Sequence, residues 1–189
     1  MSPRSIPSLE TERLLLRPPE MADAAAVYSG WASDPEVTKQ ISWDTHQSLA
    51  ETQIYLAKMI DRLHNEEDCY KWCMQLKESK QVIGLIEVVS MNKHVASAVI
   101  GFSMSRNYWG CGYMTEAAQA MIKFLFADLG LNRLEACCYP ENKASAAVLN
   151  KCGLRLEGVR RQSARDHRGN LRNLNWYAVL KEECLYYGS

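Results

Sequence analysis

No run of about 18 apolar residues occurs in the chain, so no segment reads as a membrane-spanning helix. Neither sign of charge is in excess. The 22 Lys and Arg are matched by 22 Asp and Glu, which argues against a dedicated nucleic-acid binder with its basic surplus. The opening residues, Met1-Ser-Pro-Arg-Ser-Ile-Pro-Ser8, lack the basic-then-apolar layout of a secretory signal, and a cytoplasmic protein is expected. Repeats, linkers and low-complexity stretches are also missing, so residues 9–185 read as one domain. Cysteine is not scarce, but its spacing excludes a metal site. The seven cysteines, at 69, 73, 111, 137, 138, 152 and 184, are odd in number and form no CxxC pair, so four zinc ligands cannot be assembled. They read as free thiols serving as small core residues. What remains is the composition of a globular domain, 47% hydrophobic and 23% charged over 189 residues. That is too apolar for intrinsic disorder and long enough to bury a core.

Thr11–Arg17 predicts a first strand, ended by Pro18-Pro19, which cannot donate to a ladder. Helical stretches follow at Glu20–Trp31, rich in Ala, and at Ser48–Asn65, with Leu49, Ile54, Leu56, Met59, Ile60 and Leu63 at roughly helical spacing. Ser48 with Glu51 three residues on forms a capping-box signature. Strands over 70–77, 82–90 and 96–105 suggest an antiparallel meander. A helix over 115–129, stopped at Gly130, precedes a strand at 133–139 and a short helix at 143–151 closed by Gly153. Strands at 155–162 and 176–181 complete the order. The expected class is mixed α/β: a mostly antiparallel twisted sheet of about seven strands, flanked by helices and not doubly wound.

The sharpest local feature is Gly110-Cys111-Gly112, between a strand and an amphipathic helix. Backbone amides there, with the dipole of the following helix, suit a phosphate or pyrophosphate, although two glycines before a helix also serve as a plain tight turn. A P-loop is excluded, because Tyr113-Met114-Thr115 follows where Lys-Ser/Thr is needed. A dinucleotide fingerprint is disfavoured, since Thr115 is a poor third glycine and the turn does not open a βαβ unit. Farther on stand Asn142-Lys-Ala-Ser145 and Lys151-Cys-Gly-Leu-x-x-Glu-Gly158. Read locally, Asn142 caps the short helix, Ser145 faces solvent and Gly153 stops it.

Taken together, these segments resemble the GNAT superfamily of acetyl-coenzyme A-dependent N-acetyltransferases, and within it the RimJ/RimL-type branch that acetylates ribosomal-protein alanines. The resemblance covers nearly the whole chain. It runs through Glu10-Thr-Glu-Arg-Leu-Leu-Leu-Arg17, Val82-Ile-Gly-Leu-Ile86, Ile100-Gly-Phe102 and Tyr108-Trp-Gly-Cys-Gly-Tyr-Met-Thr-Glu-Ala117 to the Asn142 and Lys151 segments. It implies acetyl-CoA as cofactor. The family's Gln/Arg-x-x-Gly-x-Gly/Ala turn falls on Trp109, Gly110, Cys111, Gly112, Tyr113 and Met114, with the pyrophosphate on the amides from Cys111 to Thr115. Trp109 replaces the usual Gln or Arg, and Met114 a small residue, without touching the main-chain amides. By the same resemblance, Phe102, Ser103 and Met104 line the pantetheine arm, and Asn142 and Ser145 face the thiol end.

The implied reaction is direct attack of a neutral amine on the thioester through a tetrahedral intermediate, needing an oxyanion donor and protons moved in both directions. Met104 N–H is the expected oxyanion donor and Ser145 the proton donor to the thiolate, since the tyrosine used elsewhere in the superfamily is Leu149 here. The acids that the branch commonly carries fall on Val99 and Asn173, so a strong base is lacking, and Glu87 and His167 remain as relays through water. Neutralising an α-amine of pKa about 7.7–8.0 near pH 7 costs about 1 kcal/mol, against about 4–5 kcal/mol for a lysine. The expected acceptor is therefore a protein N-terminal α-amine. A small amine such as an amino acid, polyamine or aminoglycoside is the alternative, and a non-catalytic acyl-CoA-binding module a third reading. An acetyl-cysteine route through Cys111, Cys137 or Cys138 is disfavoured, because no histidine pairs with them at motif level. Partners are confined to the acceptor amine, with no nucleic acid or membrane, in a monomer or homodimer.

Overall fold

Thr11 makes a turn where a continuous strand is expected: its N–H donates to Leu14 O at 3.0 Å, and Leu14 N–H donates to Thr11 Oγ1 at 2.9 Å. The chain therefore folds back, and Leu9–Glu10 (β1) pairs antiparallel with Leu14–Arg17 (β2). The computed structural model describes residues 6–41, 43–166 and 169–184. Its sheet has eight strands where about seven are expected, and the two-residue β1 is the addition.

The Ala-rich stretch after Pro19 forms three different turns rather than one helix. A 3-10 turn at Met21–Asp23 leads into α1 (Ala24–Val27), which passes into a π turn at Tyr28–Ala32. A short α2 (Pro35–Thr38) follows, with Asp34 Oδ1 accepting from Glu36 N–H as its cap. The long α3 (Leu49–Asn65) starts at Ser48, whose hydroxyl accepts from Glu51 N–H at 3.3 Å. Glu51 returns its carboxylate to Gln47 N–H, one residue before the usual position. Thr52, Leu56, Met59 and Leu63 are the buried stripe of this helix, while the apolar Leu49 and Ile54 stay exposed.

Strands β3 (Lys71–Leu76), β4 (Val82–Asn92) and β5 (Ser97–Met104) form the expected meander, with a bulge in β4 between Val88 and Ser90. Helix α4 (Tyr113–Ala127), β6 (Arg133–Cys138) and α5 (Lys143–Lys151) come next, and β7 (Arg155–Arg165) forms a long hairpin with β8 (Leu171–Leu180). The strand order is β1-β2-β3-β4-β5-β6-β8-β7, and β5 with β6 is the one parallel pair among the described residues.

Alternation along the strands, shifted by a bulge where Met74 and Gln75 pair with Gly84 and Val82, gives each face of the sheet its own core. Trp72, Met74, Ile83 and Ile86 join α4 through Met121, Ile122 and Leu125 in the larger cluster. Cys73 and Leu85, from the opposite face, join Val27, Trp31, Val37, Leu56 and Met59 of the first helices in a smaller one. No helix among the described residues is long and apolar enough to cross a membrane.

Candidate active site

The ladder between β5 and β6 stops early. It pairs Ser97, Ala98 and Val99 with Arg133, Leu134 and Glu135, and no pair follows among the described residues. Past that point the two strands diverge and open a cleft of about 720 Å³, within the range usual for a ligand pocket. Ser105 N–H donates to Ile83 O on β4 at 2.9 Å. Alternation along the strand then turns the amides of Phe102 and Met104 the other way, toward the gap. Met104 C=O accepts the Trp109 indole N–H at 2.9 Å, which ties the glycine turn to the strand beside it.

Gly110 and Gly112 have φ of 78° and 83°, left-handed values that side-chain-bearing residues adopt only at a cost. Gly112 is the N-cap of α4, and no side chain caps the helix, so the first amides of a 15-residue helix keep their anion-binding capacity. A Cβ at Gly110 would meet nothing within 4 Å, and one at Gly112 only Arg13 Nη2 at 3.4 Å. Arg13 is part of the turn in its own right. Its Nη1 donates to Cys111 O at 3.1 Å, its guanidinium lies 4.3 Å from the Tyr113 ring centre, and it pairs with Glu116 Oε2 at 2.6 Å. Glu116 Oε1 also accepts from Thr11 Oγ1 at 2.6 Å and from Arg13 N–H at 2.9 Å. Burial alone would raise the Glu116 carboxyl, but these bonds hold it below the ordinary carboxylate range. Through this clamp the Thr11-Glu-Arg13 segment fixes the start of α4.

Of the residues singled out from the sequence, Glu87, Phe102, Ser103, Met104, Trp109, Gly110, Gly112, Met114, Thr115, Asn142 and Ser145 line the cleft. Cys111 is exposed, with its thiol on Trp109 O, and Tyr113 stacks edge-on against Tyr108. Asn142 caps α5 through Oδ1, 3.0 Å from Ser145 N–H, and Ser145 and Cys138 both line the cleft. His167 lies outside the described residues. Burial raises the Cys137 and Cys138 thiols above their ordinary value, and the nearby Ser145 hydroxyl only partly offsets this for Cys138. A raised thiol is mostly protonated near pH 7, which weighs against a cysteine as acetyl carrier.

Glu87 is held by a partner that sequence inspection missed. It pairs with Lys71, directly opposite on β3, whose side chain is only 9% exposed. Burial lowers the Lys71 ammonium from its usual range. For Glu87 to take a proton, this ion pair must loosen. No local signal identifies Lys71; only the strand register does.

The fold and cleft define a class: a mixed α/β protein in which two diverging strands open a cleft beside an uncapped helix N-terminus, a layout that suits an extended ligand with an anionic part. The family model described as acetyltransferase (GNAT) domain matches residues 13–155. The uncharacterized N-acetyltransferase p20 of Bacillus licheniformis is 34% identical over 176 residues, covering 93% of this chain and 97% of that protein. The [ribosomal protein uS5]-alanine N-acetyltransferase of Escherichia coli is 26% identical over 156 residues, 79% of each. Among solved structures, a GNAT-family acetyltransferase from Bacillus anthracis superposes with a TM-score of 0.81 at 29% identity, covering 94% of this chain and all of that one. The chain belongs to the GNAT acetyltransferase family, and it is an N-acetyltransferase with acetyl-CoA as donor.

Proposed function

We propose that residues 9–185 act as one catalytic domain that acetylates a protein N-terminal α-amine. The observation carrying this reading is the poverty of the site in free base among the described residues: Glu87 is tied to Lys71, and the positions where related enzymes carry acids are Val99 and Asn173. An amine that is already partly neutral near pH 7 suits such a site. The uS5-alanine acetyltransferase among the relatives supports the same acceptor class.

The cleft fits the donor, because uncapped amides, two open glycines and a neighbouring guanidinium meet at one end of it. The amides from Cys111 to Thr115 would hold the pyrophosphate, and the strand Phe102-Ser103-Met104 would border the pantetheine arm. Bound acetyl-CoA supplies the activated acetyl thioester. Met104 N–H, turned toward the gap, donates to the acetyl oxygen as negative charge grows there. As the C–N bond forms and the C–S bond breaks, Ser145 passes its hydroxyl proton to the departing sulfur and regains one from solvent, while the attacking nitrogen releases its proton to water. Trp109 and Asn142 hold the two ends of the site in position.

A panel of free-N-terminus peptides, N-blocked lysine peptides and small amines tests the acceptor by intact mass and thiol release. The free-N-terminus peptides are expected to react faster than blocked lysine peptides near neutral pH, with rate rising along the acceptor's own ionisation. A plateau near pH 6–7 that disappears in Glu87→Gln would instead show an enzyme base and sink the base-poor reading.

Ser145→Ala is expected to lower kcat about tenfold while leaving acetyl-CoA affinity within about twofold, because its contribution is made in the transition state. The effect stays below the 10²–10⁴ of strong general acids, since a thiolate is a good leaving group. Single-turnover kinetics beside calorimetric titration separate the two quantities. An unchanged kcat assigns the proton to water.

A further inference from the structure

We propose that Gln40 is the residue that receives the acceptor amine, its side-chain carbonyl taking an N–H of the incoming nucleophile. This rests on the N-acetyltransferase reading and deepens it. Gln40 follows α2 in a run of tight turns, its N–H donating to Val37 O at 3.0 Å and Ile41 N–H to Thr38 O at 3.1 Å. The backbone is thus pinned, and the side chain lines the cleft beside Val37, Trp43 and Tyr55.

Gln40 Oε1 is a buried acceptor with no hydrogen-bond partner among the described residues. Buried acceptors are almost always satisfied, and one left open in a ligand cleft is explained by a donor that arrives with the ligand. The cleft already supplies the donor side of the reaction through the glycine turn, β5 and α5. Gln40 stands on the other wall, built from the first helices, where the second substrate has room.

The chemistry also favours an amide over a carboxylate. A carboxylate against an amine stabilises the ammonium and holds the nucleophile in its unreactive form, whereas a neutral carbonyl accepts an N–H with much less bias toward the charged state. Other titratable groups also face this cleft. Tyr55 on α3 is pushed up to about 12 by burial and stays a neutral phenol. Glu87 on β4 is neutralised by Lys71, and β6 contributes Cys137 and Cys138, both raised by burial. Glu141, Lys143 and Lys151 belong to the segment around α5, and Glu141 is paired with Arg172. The acceptor wall therefore presents an open oxygen without a free negative charge.

The test uses two probes, an Ala-Ala-Ala-Ala amide peptide and n-butylamine, which both carry a primary amine and differ in its basicity and in having a peptide carbonyl, so each variant is compared with wild type on the same probe. Binding to the CoA-loaded protein is read by isothermal titration, and turnover by thiol release. Gln40→Leu is expected to weaken binding and raise KM about tenfold for both probes, with acetyl-CoA affinity unchanged. Gln40→Glu is expected to bind both more tightly but to move the kcat–pH profile upward by about one unit, because the new charge favours the ammonium. That shift is not produced by a merely structural role, and it stands even if Gln40→Leu folds poorly. Unchanged binding and pH profile in both variants overturns the proposal. A loss confined to the peptide also overturns it, since the amide would then be serving the peptide carbonyl through Nε2. Wild-type turnover of n-butylamine but not of the peptide removes the N-terminal reading alone and leaves the Gln40 test intact on the small amine. Wild-type protein that binds neither probe overturns both.

Discussion

Gly112→Asp is expected to leave a folded protein that has lost its cofactor. At φ 83° and ψ −5° the position is left-handed, which Asp tolerates better than most residues with a side chain. It is also the N-cap of α4, where a carboxylate is favoured by the helix dipole, and Arg13 Nη2 lies 3.4 Å from the added Cβ. The fold should therefore accept the change. The anion site should not, because the new carboxylate occupies the amides meant for the pyrophosphate and repels it. Two unit charges about 4 Å apart interact by about 4 kcal/mol at an effective dielectric of 20. Even after screening, affinity for acetyl-CoA should fall at least about 100-fold, measured by titration calorimetry on protein with an unchanged melting profile. Unaltered affinity would remove the pyrophosphate from this turn.

Asp23→Ala should be the most damaging change far from the cleft. Asp23 is 5% exposed and takes Arg17 in a two-pronged pair, Nη2 to Oδ1 at 2.6 Å and Nη1 to Oδ2 at 2.9 Å, with Glu20 N–H on Oδ2 at 2.8 Å. Removing the carboxylate strands a guanidinium that is largely covered and uncaps the 3-10 turn before α1. A loss of about 3 kcal/mol is expected, or about 6–12 °C in Tm for a chain of this size. Burial would raise the Asp23 carboxyl, but the bonds from Arg17 and Glu20 outweigh it and hold the group below its ordinary value of 3.8. A carboxyl depressed in the folded state stabilises fully above its unfolded pKa, and the contribution disappears as pH falls through the folded one. The Tm gap between wild type and Asp23→Ala should therefore be widest near pH 7 and close as pH drops below about 3.8. A gap independent of pH would mean that the loss is packing rather than the ion pair.

The glycine turn and the uncapped start of α4 were legible in the sequence because backbone geometry makes them. Glycines at 110 and 112 before an amphipathic helix mark a left-handed turn there, whatever the side chains nearby. The alternation and turn signals likewise found every longer strand and both long helices. What stayed hidden depends on pairing across the sheet or over long separations. Glu116 meets Thr11 and Arg13 from about a hundred positions away, and Lys71 meets Glu87 only because of strand register. The π turn at Tyr28–Ala32 reads as ordinary helix by composition. β8 begins at Leu171, earlier than expected, because hairpin pairing with β7 supplies hydrogen bonds that burial does not advertise. Gln40 carries no local motif, and its open oxygen becomes visible only once the cleft is assembled.

The two separate cores carry a consequence for how this enzyme can change. Of the residues that line the cleft, Val37, Trp43, Tyr55 and Leu85 pack in the smaller cluster, whereas Met104, Met114 and Cys138 pack in the larger. Substitutions in different packing units with no shared partners combine nearly additively. The first helices can therefore be rebuilt for a new nucleophile while the thioester end keeps its affinity. A chimaera that exchanges residues 20–60, leaving Leu63 in the larger core, with those of a relative should take on the relative's amine preference and retain its own grip on the donor.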